Sequence, residues 1–154
     1  MTSPILTRRG LLSAAAAVPL VALGAPAFAA KPEVFSVDGV AIRGYDPVAY
    51  FTEGAPVEGR AEFSVEWKGA TWQFASAENR ATFEGNPEAF APKYGGYCAY
   101  AVAKGGTATT SPNAWAIHED RLYLNFNRTV RGIWSRDIPG NVAKADANWP
   151  GVLA

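Results

Sequence analysis

Phe63-Ser64-Val65-Glu66-Trp67-Lys68-Gly69-Ala70-Thr71-Trp72-Gln73-Phe74 is the stretch that decides the fold. Phe63, Val65 and Trp67 alternate with polar residues, Lys68-Gly69 supplies a two-residue turn, and Trp72 and Phe74 resume the alternation. A period of two interrupted by a glycine turn predicts a β-hairpin with one aromatic face. The pattern then changes. Ser76 precedes the run from Ala77 to about Glu84, Glu78 falls in its first turn and Gly85 at its end, which predicts a capped helix. Asn86-Pro87 opens a further short helix through Phe90, and Pro92 ends it.

Upstream, Val34 to Val37 is a short extended piece followed by a turn at Asp38-Gly39. Asp46 is placed to cap, and Pro47 to begin, a short helix that stops at Gly54. Downstream, Thr107 to Asn113 is a polar loop, and Ala114 to Phe126 reads as a second hairpin. With its turn at Asp120-Arg121, Ile117 pairs with Leu124 and His118 with Tyr123, and His118 lies on the solvated face opposite Trp115 and Ile117. The segments Asn127 to Trp134 and Val142 to Trp149 read as two short helices split by Pro139-Gly140. The expected class is therefore α+β, a small single domain with two antiparallel β-hairpins and several short helices.

The first 29 residues stand apart from that domain. Thr7-Arg8-Arg9-Gly10 is a charged head, Leu11 to Leu23 a modestly apolar, alanine-rich segment, and Ala27-Phe28-Ala29 a small-x-small cleavage site. The arginine pair before Gly10-Leu11-Leu12 resembles the twin-arginine export signal. The expected organisation is a signal peptide over 1–29 and a periplasmic or secreted domain over 30–154. Without Arg8 and Arg9 the 14 basic residues become 12 against 14 acidic, a net charge of −2, and no basic field for nucleic acid remains. No later stretch supplies the roughly 20 consecutive apolar residues of a membrane-spanning helix. All five tryptophans and all six tyrosines lie after the leader, so the core is well supplied with aromatic area.

Chemistry, if any, centres on the only cysteine. Tyr94-Gly95-Gly96-Tyr97-Cys98-Ala99-Tyr100 sets it after a glycine pair and at the start of a short helix running to Ala103 and closed by Lys104-Gly105-Gly106. A thiol beside free helix N–H groups is a better nucleophile and soft-metal ligand, and on that ground we expect a partly reachable, reactive sulfur. The competing reading is a small buried filler. Being alone, Cys98 forms no intramolecular disulfide, so the domain relies on its core even in an oxidising compartment.

The motifs Tyr45-Asp46-Pro47-Val48-Ala49-Tyr50-Phe51, Trp67 to Arg80, Asn86 to Ala91, Tyr94 to Tyr100 and Leu122 to Phe126, taken in order, resemble those of secreted YHS domain-containing proteins, a family that includes selenoproteins. The resemblance covers roughly residues 40 to 150. It implies a small α+β domain with a link to metal or redox chemistry, and selenocysteine in relatives at the place of Cys98. It also implies cysteines where this chain has Ala49, Ala75 and Asn79, so the metal-associated ligands are absent here.

Three function classes follow. The first is thiol-based redox or ligand binding centred on Cys98, with Tyr97, Tyr100, Asp46 and Tyr50 as candidate ligand-binding neighbours. The second is periplasmic binding of a soft metal ion, copper or zinc, for which Cys98 and His118 are the only thiol and imidazole present. The third is a non-catalytic module that holds a small ligand or partner on an aromatic surface. No complete catalytic constellation and no phosphate-binding or dinucleotide fingerprint is visible.

Overall fold

The computed structural model describes residues 29–154 together with Ala17, Pro19 and Gly24, and the expected leader with its arginine pair otherwise lies outside the described residues. The first strands, β1 (Ser36–Val37) and β2 (Val40–Ala41), close around Asp38-Gly39. The expected hairpin is β3 (Arg60–Trp67) with β4 (Ala70–Phe74), closed by the pair Trp67–Ala70. Lys68 and Gly69 both have positive φ, +49° and +75°, the geometry whose twist matches a two-residue hairpin. Parallel pairing of Val40 with Thr71 joins the two ribbons into one sheet of order β1-β2-β4-β3.

Helices cover this sheet and extend beyond it. Ahead of α1 (Ala49–Thr52), the Asp46 side chain accepts the first N–H groups. Ser76 caps α2 (Ala77–Gly85) by accepting the Asn79 N–H at 3.1 Å, and α3 (Pro87–Phe90) starts on its proline. The Phe83 ring of α2 sits 5.0 Å from Phe74 and 5.3 Å from Trp72, ring centre to ring centre, so the aromatic face of the hairpin is sealed by that helix.

The second ribbon pairs β5 (Trp115–His118) with β6 (Arg121–Leu124), two residues out of the expected register: Ile117 faces Leu122, and His118 faces Arg121. The turn is Glu119-Asp120, both left-handed at φ +48° and +58°, so Arg121 belongs to a strand and not to the turn. His118 does alternate with Trp115 and Ile117, but the expected solvated face is not found: Ile117 is exposed and the His118 side chain is half-buried. At the C-terminus, Pro139-Gly140 does not split two helices. α5 (Arg128–Trp134) passes through a 3-10 turn into α6 (Ile138–Asn148), whose first turn contains both residues, because Pro fits there and the Asp137 carboxylate accepts the Gly140 N–H at 3.0 Å.

Two hydrophobic clusters result. Trp72, Phe74, Phe83, Tyr50, Leu122 and Leu124 belong to the first, and Tyr94, Tyr97, Val102, Tyr123, Trp134 and Ala145 to the second. Strand β6 thus gives alternate residues to both, and all three of Leu122, Tyr123 and Leu124 are buried. No helix among the described residues is long and apolar enough to cross a membrane.

Candidate functional site

Cys98 immediately precedes α4 (Ala99–Ala103), as expected, but it is 1 % exposed. Its Sγ accepts the Phe126 N–H at 3.3 Å and donates to Asn125 Oδ1 at 3.6 Å. The same Oδ1 accepts the Tyr100 N–H at 3.1 Å, so Asn125, itself fully buried, caps α4 from a distant strand end. The expectation of a reachable sulfur is overturned: the thiol joins α4 to the segment after β6 and has both a donor and an acceptor in place. Gly95 and Gly96, with φ +61° and +84°, serve close packing. A Cβ at Gly95 would overlap the Glu33 carbonyl oxygen, and one at Gly96 would come within 2.6 Å of Ile42 Cγ2.

The other candidate residues are also tied into the fold. The Tyr97 hydroxyl donates to the Pro32 carbonyl at 2.8 Å, and the Tyr50 hydroxyl to the Pro112 carbonyl at 2.9 Å. Burial, and to a lesser degree Tyr45, holds the Tyr50 phenol above its ordinary range. Tyr100 is half-buried under the Lys104 ammonium, 5.1 Å from its ring centre.

Asp46 is 0 % exposed and anchors the metal question. Its Oδ1 accepts the N–H groups of Val48 and Ala49 at 2.8 and 3.2 Å, and its Oδ2 accepts the Ala75 N–H at 2.9 Å and the Asn79 side-chain amide at 2.7 Å. Ala49, Ala75 and Asn79, the three positions where the resemblance implies cysteines, therefore converge on one carboxylate. That carboxylate is filled by N–H donors, which compete for the lone pairs a metal would need. Cys98 and His118 do not converge either. Asn125, which holds Cys98, pairs with Ala114 at one end of the second ribbon, while His118 is four residues along at the other, roughly 13 Å away at strand rise. Among the described residues no three of His, Cys, Asp and Glu gather into a group able to hold a metal ion. The residues present do not fit the metal site that the resemblance implies.

A cleft of about 230 Å³ lies elsewhere, where the β3–β4 turn meets the Tyr94 stretch and the C-terminal end of α6. The half-buried Trp67 and Trp149 line it, together with the buried Trp72 and Tyr94. Trp67 and Trp72 form one edge-to-face pair at 5.7 Å, Tyr94 and Trp149 another at 5.9 Å. The Lys68 ammonium bridges Glu33 at 2.9 Å and Glu88 at 3.0 Å and lies 4.7 Å from the Trp67 ring centre. Partial burial would lower its pKa, but the two carboxylates hold it above the ordinary range. Lys93 pairs with Asp146 at 3.2 Å, and the Tyr94 hydroxyl donates to the same carboxylate at 3.0 Å. Burial and that hydrogen bond push the Tyr94 phenol well up. Arg121 completes the lining.

None of Cys98, Tyr97, Tyr100, Asp46, Tyr50 or His118 lines this cleft. Sequence reasoning missed it because its walls come from five separated places, and because Lys68 and Arg121 both read as turn residues. Tyr94 was the available signal: a bulky residue immediately before two glycines, held here at φ +58°.

No curated protein and no solved structure matches the chain. A family model does match, over residues 48–94, which takes in α1, the β3–β4 hairpin, α2, α3 and Tyr94 but neither Cys98 nor Arg121. What those residues build, the sealed aromatic hairpin and one side of the cleft, is the part of this chain that is similar to a YHS domain.

Proposed function

We propose that this chain is an exported, non-catalytic binding domain that holds a small planar ligand in the cleft between Trp67 and Trp149. The observation that carries the reading is the cleft itself. It is the place where aromatic side chains, two of them half-buried, and several charged groups converge on open space, the usual character of a small-molecule site. Its volume falls below the roughly 300–1,000 Å³ of drug-sized sites, which favours a ligand of one or two rings. Export rests on Arg8-Arg9 and the leader composition. Thiol chemistry at Cys98 is the weaker reading, since the sulfur is buried with both hydrogen-bonding roles taken. Soft-metal binding is weaker still within one chain, for want of a converging ligand set.

The test is a titration of the full chain with 2-naphthamide, a neutral planar probe, followed by amide NMR. Shifts concentrated at Lys68, Tyr94, Gly95 and Trp149 are expected. Saturation elsewhere, or no shift at these residues at millimolar probe, refutes the reading.

A further inference from the structure

The three carboxylates and three cations around the cleft balance in number but not in pairing. Glu33 and Glu88 are both engaged by Lys68, and Asp146 is engaged by Lys93 and the Tyr94 hydroxyl. Arg121 has no such partner: among the described residues no carboxylate comes within 4.0 Å of its guanidinium, and its Nε is buried without an acceptor. Across the ribbon it faces His118, which supplies no negative charge. A desolvated donor left unmade is costly, more so when charged. Among the described residues Asn125 Nδ2 and Trp134 Nε1 share that condition, but of the three only Arg121 is charged and lines the cleft.

Resting on the reading of the cleft as a binding site, we propose that its ligand is an aromatic carboxylate, with the ring between Trp67 and Trp149 and the carboxylate drawn to Arg121. The guanidinium fork matches a carboxylate in shape and charge, and the tryptophan walls favour a flat apolar body over a bare ion. Placing the negative charge at Arg121 also leaves the Lys68 and Lys93 pairs intact. No other cation of the lining is free to answer it.

The experiment compares 2-naphthoate, 2-naphthamide and acetate on the full chain by calorimetry and amide NMR. The wild type is expected to bind naphthoate about tenfold more tightly than the amide, the scale of one charge-assisted contact, and acetate more weakly than either. Arg121→Gln should abolish the preference for naphthoate over naphthamide, bringing their affinity ratio to about one, and Arg121→Lys should restore part of the preference. Equal binding of naphthoate and naphthamide at the cleft overturns the carboxylate while leaving the cleft as a binding site. Acetate as tight as naphthoate overturns the aromatic requirement. Failure of all three to shift cleft residues refutes the site itself. The wild-type comparison decides the matter even if a variant does not fold.

Discussion

Replacing Asp46 by asparagine is close to isosteric, yet it should be among the most damaging single changes available to this chain. The carboxylate accepts four hydrogen bonds and has no cationic partner within 4.0 Å among the described residues, so its value lies in acceptor sites. An asparagine keeps one oxygen, enough for Val48 and Ala49, and turns an NH2 toward the Ala75 N–H and the Asn79 amide, donor against donor. Each stranded buried donor costs about 1–3 kcal/mol. Ala75 and Asn79 are only half-buried, so part of that is recovered from water, and a total of about 2–4 kcal/mol is expected. At roughly 4 °C per kcal/mol for a domain of this size, Tm should fall by about 8–16 °C in a calorimetric scan. The partner change Asn79→Asp alone sets two carboxylates against each other. Combined, Asp46→Asn with Asn79→Asp exchanges donor and acceptor and should be less damaging than the sum of the singles by about 1–3 kcal/mol. A single Asp46→Asn variant within about 0.5 kcal/mol of the wild type, or additive singles, would refute the reasoning.

The remaining predictions concern the glycine and tyrosine stretch. Cys98 should label slowly with thiol reagents at every pH at which the protein stays folded. Cys98→Ser, which can keep both hydrogen bonds, should cost less than Cys98→Ala, expected at about 1–3 kcal/mol in urea unfolding. Gly95→Ala should fail to fold or lose more than about 3 kcal/mol, since its Cβ meets backbone, whereas Gly105→Ala, also at positive φ but with open space around it, should lose about 1 kcal/mol. The raised Tyr94 and Tyr50 phenols keep protons in the folded state that the unfolded chain releases near pH 10. Their contribution is therefore complete below about pH 10 and is lost as pH rises above it. Tyr94→Phe should flatten that alkaline loss, measured by denaturant midpoints between pH 8 and 11, and an unchanged slope would contradict it.

What was legible in the sequence was local. The Lys68-Gly69 turn, the Ser76 cap and the proline start of α3 are each fixed by residues within four positions of one another, and each occurs where the pattern placed it. The second ribbon slipped because Asp120-Arg121 and Glu119-Asp120 are equally polar pairs with no glycine to choose between them, and only packing of Leu122 and Leu124 selects the register. The cap of α4 was out of reach because Asn125 lies 25 positions beyond the Tyr100 amide it accepts. Asp46 was recognised as a cap, but its second oxygen is spent on Ala75 and Asn79, partners that exist only after β4 and α2 have docked.

Strand β6 has a consequence for cooperativity. Because Leu122 and Leu124 complete one cluster and Tyr123 the other, neither cluster can open its side of the strand without exposing backbone amides on which the other depends. The two clusters should melt as one unit. Amide protons in β4 and in α6 should then exchange through the same global opening, with the same free energy and the same response to denaturant. A fragment ending at Tyr94, the limit of the matched region, would lack both leucines and leave the first cluster incomplete.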